Sequence, residues 1–206
     1  IVKAALQFSC HACEAMRLSR ARGRASGHLP PLPLDVLNSD GLEWVHPKTK
    51  AKYIFRLITD EGSGLTQTYC HGAIGQARSL NRSHREFLDC IINWVKHYST
   101  PKTVRVDPEG CHCSLDTLKW FGERDIDLRV TPGEAHWLLS RAEAKVDIFK
   151  RGMSKFFMMS DQECDVKEGA ALITHAMNDL EKEVTHSPFE HILGRCPSTE
   201  NNPMSC

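Results

Sequence analysis

The sequence predicts an α/β protein built on a five-stranded mixed sheet flanked by helices. Two β-rich runs, Ala51–Thr59 and Leu65–Cys70, are joined by the short turn Glu61-Gly-Ser-Gly64, so they pair antiparallel. Two further strands, Thr103–Val106 and Ile126–Thr131, are each reached through a segment with apolar residues at helical spacing. Early antiparallel strands followed by strands reached through helices give a mixed sheet with helices on its faces.

The chain begins with a distinct region, residues 1–28. Cys10-His-Ala-Cys13 comes first, and Arg17, Arg20, Arg22 and Arg24 follow within eight positions, with Gly23 and Gly27 beside them. That composition reads as a basic, flexible linker. In Leu29-Pro-Pro-Leu-Pro-Leu-Asp35 three prolines forbid a helix and lead into a first strand over Leu34–Leu37. Residues 38–50 are polar and contain Gly41 and Pro47, which predicts a loop or hairpin. Ser83 with Glu86 forms a capping box ahead of a helix carrying Phe87, Leu88, Ile91, Ile92 and Val95, and Pro101 closes that unit. A second helix starts at Ser114 or Asp116 and ends at Gly122. After Pro132-Gly133 a long helix from about 135 carries Leu138, Ala142, Val146, Phe149 and Met153 as its apolar stripe. A last helix from about Val166 places Ala170, Ile173, Met177 and Leu180 on one face.

Composition narrows the function less than the pattern does. A hydrophobic fraction of 41% and a charged fraction of 25% suit an ordinary globular domain with its own core. Lys plus Arg total 26 and Asp plus Glu total 26, so any nucleic-acid contact must come from local patches and not from overall charge. Nine cysteines, an odd number, and no signal-peptide pattern at the start read as reduced intracellular thiols. No apolar run approaches the roughly 18 residues that span a bilayer.

Three acids stand out by position. Asp35 falls in the first predicted strand, Asp107 directly after Val104-Arg-Val106, and Glu143 in the long helix. Thirty-five residues, 108 to 142, separate the second acid from the third. The order of elements resembles the ribonuclease-H-like fold, and the acid spacing resembles that of retroviral-type integrases and related transposases. The copia-like retrotransposon branch fits best. Its features resemble Leu34-Asp35-Val36, the hairpin text Tyr53 to Ser63, Val106-Asp107-Pro-Glu-Gly110, the Pro132-to-Glu143 segment and His186 to Arg195. The resemblance spans roughly residues 10 to 197. It departs at Leu139-Ser140, where the family has Asn-Gly, at Ala144, where Arg is usual, and at Asp107-Pro-Glu-Gly110, one residue longer than Asp-x-Gly.

The resemblance implies a metal-dependent polynucleotidyl transferase, acting in 3′-end processing and strand transfer within a retroelement polyprotein. Asp35, Asp107 and Glu143 would be its catalytic acids and would hold two Mg²⁺ or Mn²⁺ ions, which prefer carboxylate oxygen. Element ends and target DNA would be its partners, in a homo-oligomer, in the nucleus at the step of integration and without membrane attachment. Residues 1–28 would be the end of a zinc-binding domain plus linker, 29–160 the catalytic core, and 161–206 a post-core helix and polar tail. Cys10 and Cys13 would ligate Zn²⁺ only in an intact parent that supplies two upstream histidines. Arg17, Arg20, Arg22, Arg24, Lys145 and Lys150 are candidate phosphate contacts. Asp60, also at a strand end, is expected to be structural, and Cys111-His-Cys113, whose spacing suits no common zinc loop, reads as packing or coincidence. Two rival readings stay open: a catalytically decayed, nucleic-acid-binding remnant of the same fold, and a ribonuclease-H-like nuclease that cleaves without joining.

Overall fold

A computed structural model describes residues 31–74, 84–108, 114–131, 140–159, 164–180 and 186–194. Five strands run in the order β1 (Val36–Val45), β2 (Lys52–Asp60), β3 (Thr66–Ala73), β4 (Thr103–Val106) and β5 (Asp127–Val130). Among the described residues, five helices join and follow them: α1 (His84–His97), α2 (Leu115–Gly122), α3 (Ser140–Met159), α4 (Val166–Leu180) and α5 (Pro188–Leu193). The sheet order is β3-β2-β1-β4-β5. β1, β2 and β3 are antiparallel, while β4 pairs parallel with β1 and β5 parallel with β4. The expected mixed sheet is therefore present.

Alternation along the strands builds a core on each face. Leu37, Ile58, Val104 and Val106 pack with Phe87, Ile91 and Trp94 of α1 and Phe121 of α2. Leu42, Trp44, Phe55 and Leu57 pack with Val146, Phe149, Met153 and Phe157 of α3 and Val166, Ala170 and Met177 of α4. The helix placed after the core by the sequence reading is thus part of that second core. α3 and α4 approach closely because each carries a glycine at the crossing. A Cβ on Gly152 would come 2.8 Å from Ile173, and one on Gly169 would come 2.7 Å from the Phe157 ring. Ser114 caps α2 as expected, accepting from the Thr117 amide. Ser187 and Glu190 close a capping box on α5, an element the sequence reading left unassigned.

The largest departure lies at the first strand. Residues 38–45, expected within a loop or hairpin over 38–50, continue β1 as one arm of a hairpin, pairing with β2 from Leu37↔Asp60 to Val45↔Lys52. Polar Asn38, Ser39 and Asp40 and the breaker Gly41 masked the signal. Leu42 and Trp44 nevertheless alternate inward, and pairing with the apolar β2 overrides the local propensity.

Candidate metal centre

The register of β1 against β4 decides which carboxylates meet. The two strands are parallel, with Val36↔Thr103, Asn38↔Arg105 and Ser39↔Val106. The register ends there, one residue before Asp40 in β1 and before Asp107, the first residue after β4. Their side chains share a face by alternation with Asn38 and Arg105, and those two both reach Glu61 on that face.

Helix α3 covers the same face. Trp44 donates from Nε1 to Ser154 Oγ at 3.1 Å, and the Phe55 and Phe149 rings lie 5.2 Å apart. Phe55 pairs with Leu42, so going back along α3 from Ser154 to Phe149 tracks β1 from Trp44 to Leu42. Six more residues, about 9 Å of helix, lead to Glu143, while two strand residues, about 6.6 Å, lead from Leu42 to Asp40. The rotation agrees. Gly152 and Phe156 turn toward α4, so the opposite flank, with Glu143, Lys150 and Ser154, looks toward β1 and β4. The first turn of α3 thus brings Glu143 to the Asp40–Asp107 end of the sheet.

Beneath this end lies a polar layer. Glu61 follows β2, and its amide donates to Val36 O at 2.8 Å, which swings its side chain across β1. Its Oε2 accepts from Asn38 Nδ2 at 3.4 Å and pairs with Arg105 Nη1. Asn38 is 0% exposed, and its Oδ1 has no hydrogen-bond partner among the described residues.

Asp35 does not join this group. It precedes β1 in a turn, its carbonyl accepts from the Lys102 and Thr103 amides, and its carboxylate pairs with Lys102 Nζ at 2.8 Å. It therefore lies at the start of β4, four strand positions before Val106, or roughly 13 Å from the end that carries Asp107. Asp40 is an acid that the sequence reading did not single out. The signal was its place two residues before the inward pair Leu42 and Trp44, visible only once 38–45 is read as strand.

Lys145 also differs from expectation. It is 2% exposed, because its position three after Ala142 and four before Phe149 turns it inward, so it is no surface contact for phosphate. Lys150 is half-buried on the Glu143 flank. Asp60 is structural as expected. Fully buried, it accepts from the amides of Leu34 (2.9 Å) and Ser63 (2.8 Å) and from Ser63 Oγ (2.6 Å). Cys10, Cys13, Arg17, Arg20, Arg22, Arg24 and Cys111-His-Cys113 lie outside the described residues.

Hard carboxylate donors from two adjacent strands and one helix are the donor set that Mg²⁺ or Mn²⁺ prefers. Among the described residues, however, no three His, Cys, Asp or Glu side chains are gathered closely enough to hold an ion. Each of Asp40, Asp107 and Glu143 makes a polar or charged interaction of its own. No described helix is long and apolar enough to cross a membrane.

No family model and no curated protein sequence matches the chain. Solved structures do. The HTLV-2 integrase catalytic core domain in complex with magnesium (dimeric form) superposes with a TM-score of 0.63 at 14% identity, over 78% of this chain and 97% of that one. The simian T-cell lymphotropic virus intasome in complex with the PP2A regulatory subunit B56 gamma gives 0.69 at 15% identity, over 93% of this chain and 66% of that one. The BIV integrase catalytic core domain gives 0.61 at 14%, over 78% and 95%. The fold is ribonuclease-H-like. More narrowly, it is the fold of retroviral integrase catalytic cores.

Proposed function

We propose that this chain is a metal-dependent polynucleotidyl transferase, an integrase core that cuts and joins DNA, with Asp40, Asp107 and Glu143 as its acids. Asp40 takes the place that the sequence reading gave to Asp35. One observation supports the reading: the parallel β1–β4 register runs to Ser39↔Val106, the residues directly before Asp40 and Asp107, in a fold shared with integrase cores.

The chemistry needs a phosphodiester held in line with an attacking hydroxyl. Two divalent ions, when bound, would assist the attacking and the leaving oxygen. Asp40 would supply an oxygen donor on a backbone held by the sheet, and Asp107 one directly after the end of β4. Glu143 would supply a donor on a helix turn that can adjust. Lys150, on the Glu143 flank, is suited to orient a phosphate. DNA ends, target DNA and a homo-oligomeric assembly belong to the same proposal.

The spread of the carboxylates favours, as a second reading, a remnant that binds nucleic acid without turning it over. Labelled oligonucleotides with Mn²⁺, assayed for nicking, strand transfer and its reversal, separate the two. The enzyme reading expects products from the wild type and none from Asp107→Asn. Equal background from both, with the fold intact by circular dichroism, contradicts it.

A further inference from the structure

β3 is an edge strand, paired with β2 on one side only. The hairpin fixes which of its backbone groups face away from β2. The Asp60 amide donates to the Leu65 carbonyl, so Leu65 faces β2 and Thr66 turns its amide and carbonyl outward. The Asn178 side chain takes both of these groups, accepting at 2.8 Å and donating at 2.7 Å, as a neighbouring strand would. By the same alternation the amides and carbonyls of Thr68 and Cys70 face outward, with about 6.8 Å between the two residues. Those groups have no hydrogen-bond partner among the described residues. Thr68 and Cys70 border a cleft of about 570 Å³ between α1 and α4, a size that holds ligands. Its α1 wall carries Asp89 and Lys96, and its α4 wall carries Lys167 beside the small Ala170. Asp89, Lys96 and Lys167 are exposed and make no ion pair with a described residue.

We propose that this edge takes an extended peptide segment of a partner protein as an added strand, paired with β3 through Thr68 and Cys70. The backbone groups supply affinity whatever the peptide sequence, and the two walls supply selectivity. Side chains of an added strand alternate between the faces, so one set meets α1 and the next meets α4. Lys167 selects an acidic side chain on the α4 face. Asp89 selects a basic one at the adjacent position, on the α1 face. Lys96 lies two helical turns, about 10 Å, beyond Asp89 and leaves that end of the wall to the incoming cation. The open stretch is bounded by Asn178 at Thr66 and by the bulge that follows Cys70. It therefore fits a segment of a few residues better than the long edge of a second sheet.

The probes are fluorescein-labelled hexapeptides of alternating threonine and valine, one neutral and one with glutamate and lysine at adjacent central positions. Each is titrated into the whole chain and read by anisotropy. The charged peptide is expected to bind about five-fold more tightly than the neutral one, and Lys167→Glu, at an exposed position, to erase that difference. Thr68→Pro removes an outward donor and the side-chain bond from Thr174 but leaves the ladder to β2 whole. It is expected to weaken both peptides about ten-fold with the circular dichroism unchanged. Hydrogen exchange adds a readout independent of charge. In the free chain the Thr68 and Cys70 amides should exchange faster than those of Gln67 and Tyr69, which face β2, and the peptide should protect Thr68 and Cys70. No binding of either peptide at millimolar concentration overturns the proposal. So does a charged peptide that binds no better than the neutral one, a folded Thr68→Pro that binds as the wild type does, or binding without protection of the two amides. A dimer in sedimentation whose Thr68 and Cys70 amides are already protected, and which Thr68→Pro dissociates, also overturns it, because the occupant is then a second copy.

Discussion

Replacing Asp60 with Ala tests whether a strand-end carboxylate beside the candidate site is structural. The side chain accepts three hydrogen bonds, from the Leu34 amide, the Ser63 amide and Ser63 Oγ. The Leu34 bond matters doubly, because Leu34 has φ of 69°, a left-handed bend that a leucine adopts only when its surroundings hold it. The next turn is just as tight. A Cβ on Gly62 would lie 2.6 Å from the backbone of Leu32 and Pro33, so the two turns are pressed together. On truncation, half-buried Leu34 regains water and Ser63 Oγ can rotate, but the buried Ser63 amide keeps no acceptor. One stranded donor and two lost bonds sum to about 3–4 kcal/mol. For a chain of this size that lowers the melting temperature by about 10 °C. Asp60→Asn keeps one acceptor oxygen and loses about half as much. Thermal denaturation by circular dichroism reads both. A melting temperature for Asp60→Ala within 2 °C of wild type would refute the reasoning.

Two further outcomes follow from other contacts. Asn178 of α4 clamps the sheet edge, accepting from the Thr66 amide at 2.8 Å and donating to the Thr66 carbonyl at 2.7 Å, so Asn178→Leu strands two buried backbone groups and costs about 2–4 kcal/mol in urea unfolding. The Cys90 thiol is pushed up by burial to about 12, so iodoacetamide at pH 8 is expected to leave it unlabelled in the folded chain and to label it in urea, as mass spectrometry would read. Because that pKa is raised on folding, its contribution to stability is complete below the ordinary thiol value and declines as pH climbs toward about 12.

The sheet was legible in the sequence wherever propensity and periodicity agreed. Tyr53 to Ile58 and Val104 to Val106 are β-rich and bounded by turn residues, and they are strands. The α3 stripe of Ala142, Val146, Phe149 and Met153 is buried at the spacing read from the chain. The proposed first acid was not legible, because its place depends on strand register. Asn38, Ser39, Asp40 and Gly41 form a strand because β2 pairs with all four and β4 with the first two. Local reading stopped the strand at Leu37 and so chose Asp35. Lys145 failed for a related reason. Charge suggests a solvent face, but its azimuth beside Ala142 and Phe149 turns it inward.

The central claim is that Asp40, and not Asp35, completes the acid set with Asp107 and Glu143. Mn²⁺ binding and strand cleavage should therefore be measured side by side for Asp40→Asn and Asp35→Asn. The account predicts that Asp40→Asn removes both, while Asp35→Asn, which loses only a pair with a Lys102 side chain 73% exposed, leaves both within about two-fold and costs under about 1 kcal/mol. Loss of binding and cleavage in Asp35→Asn with both retained in Asp40→Asn would contradict it.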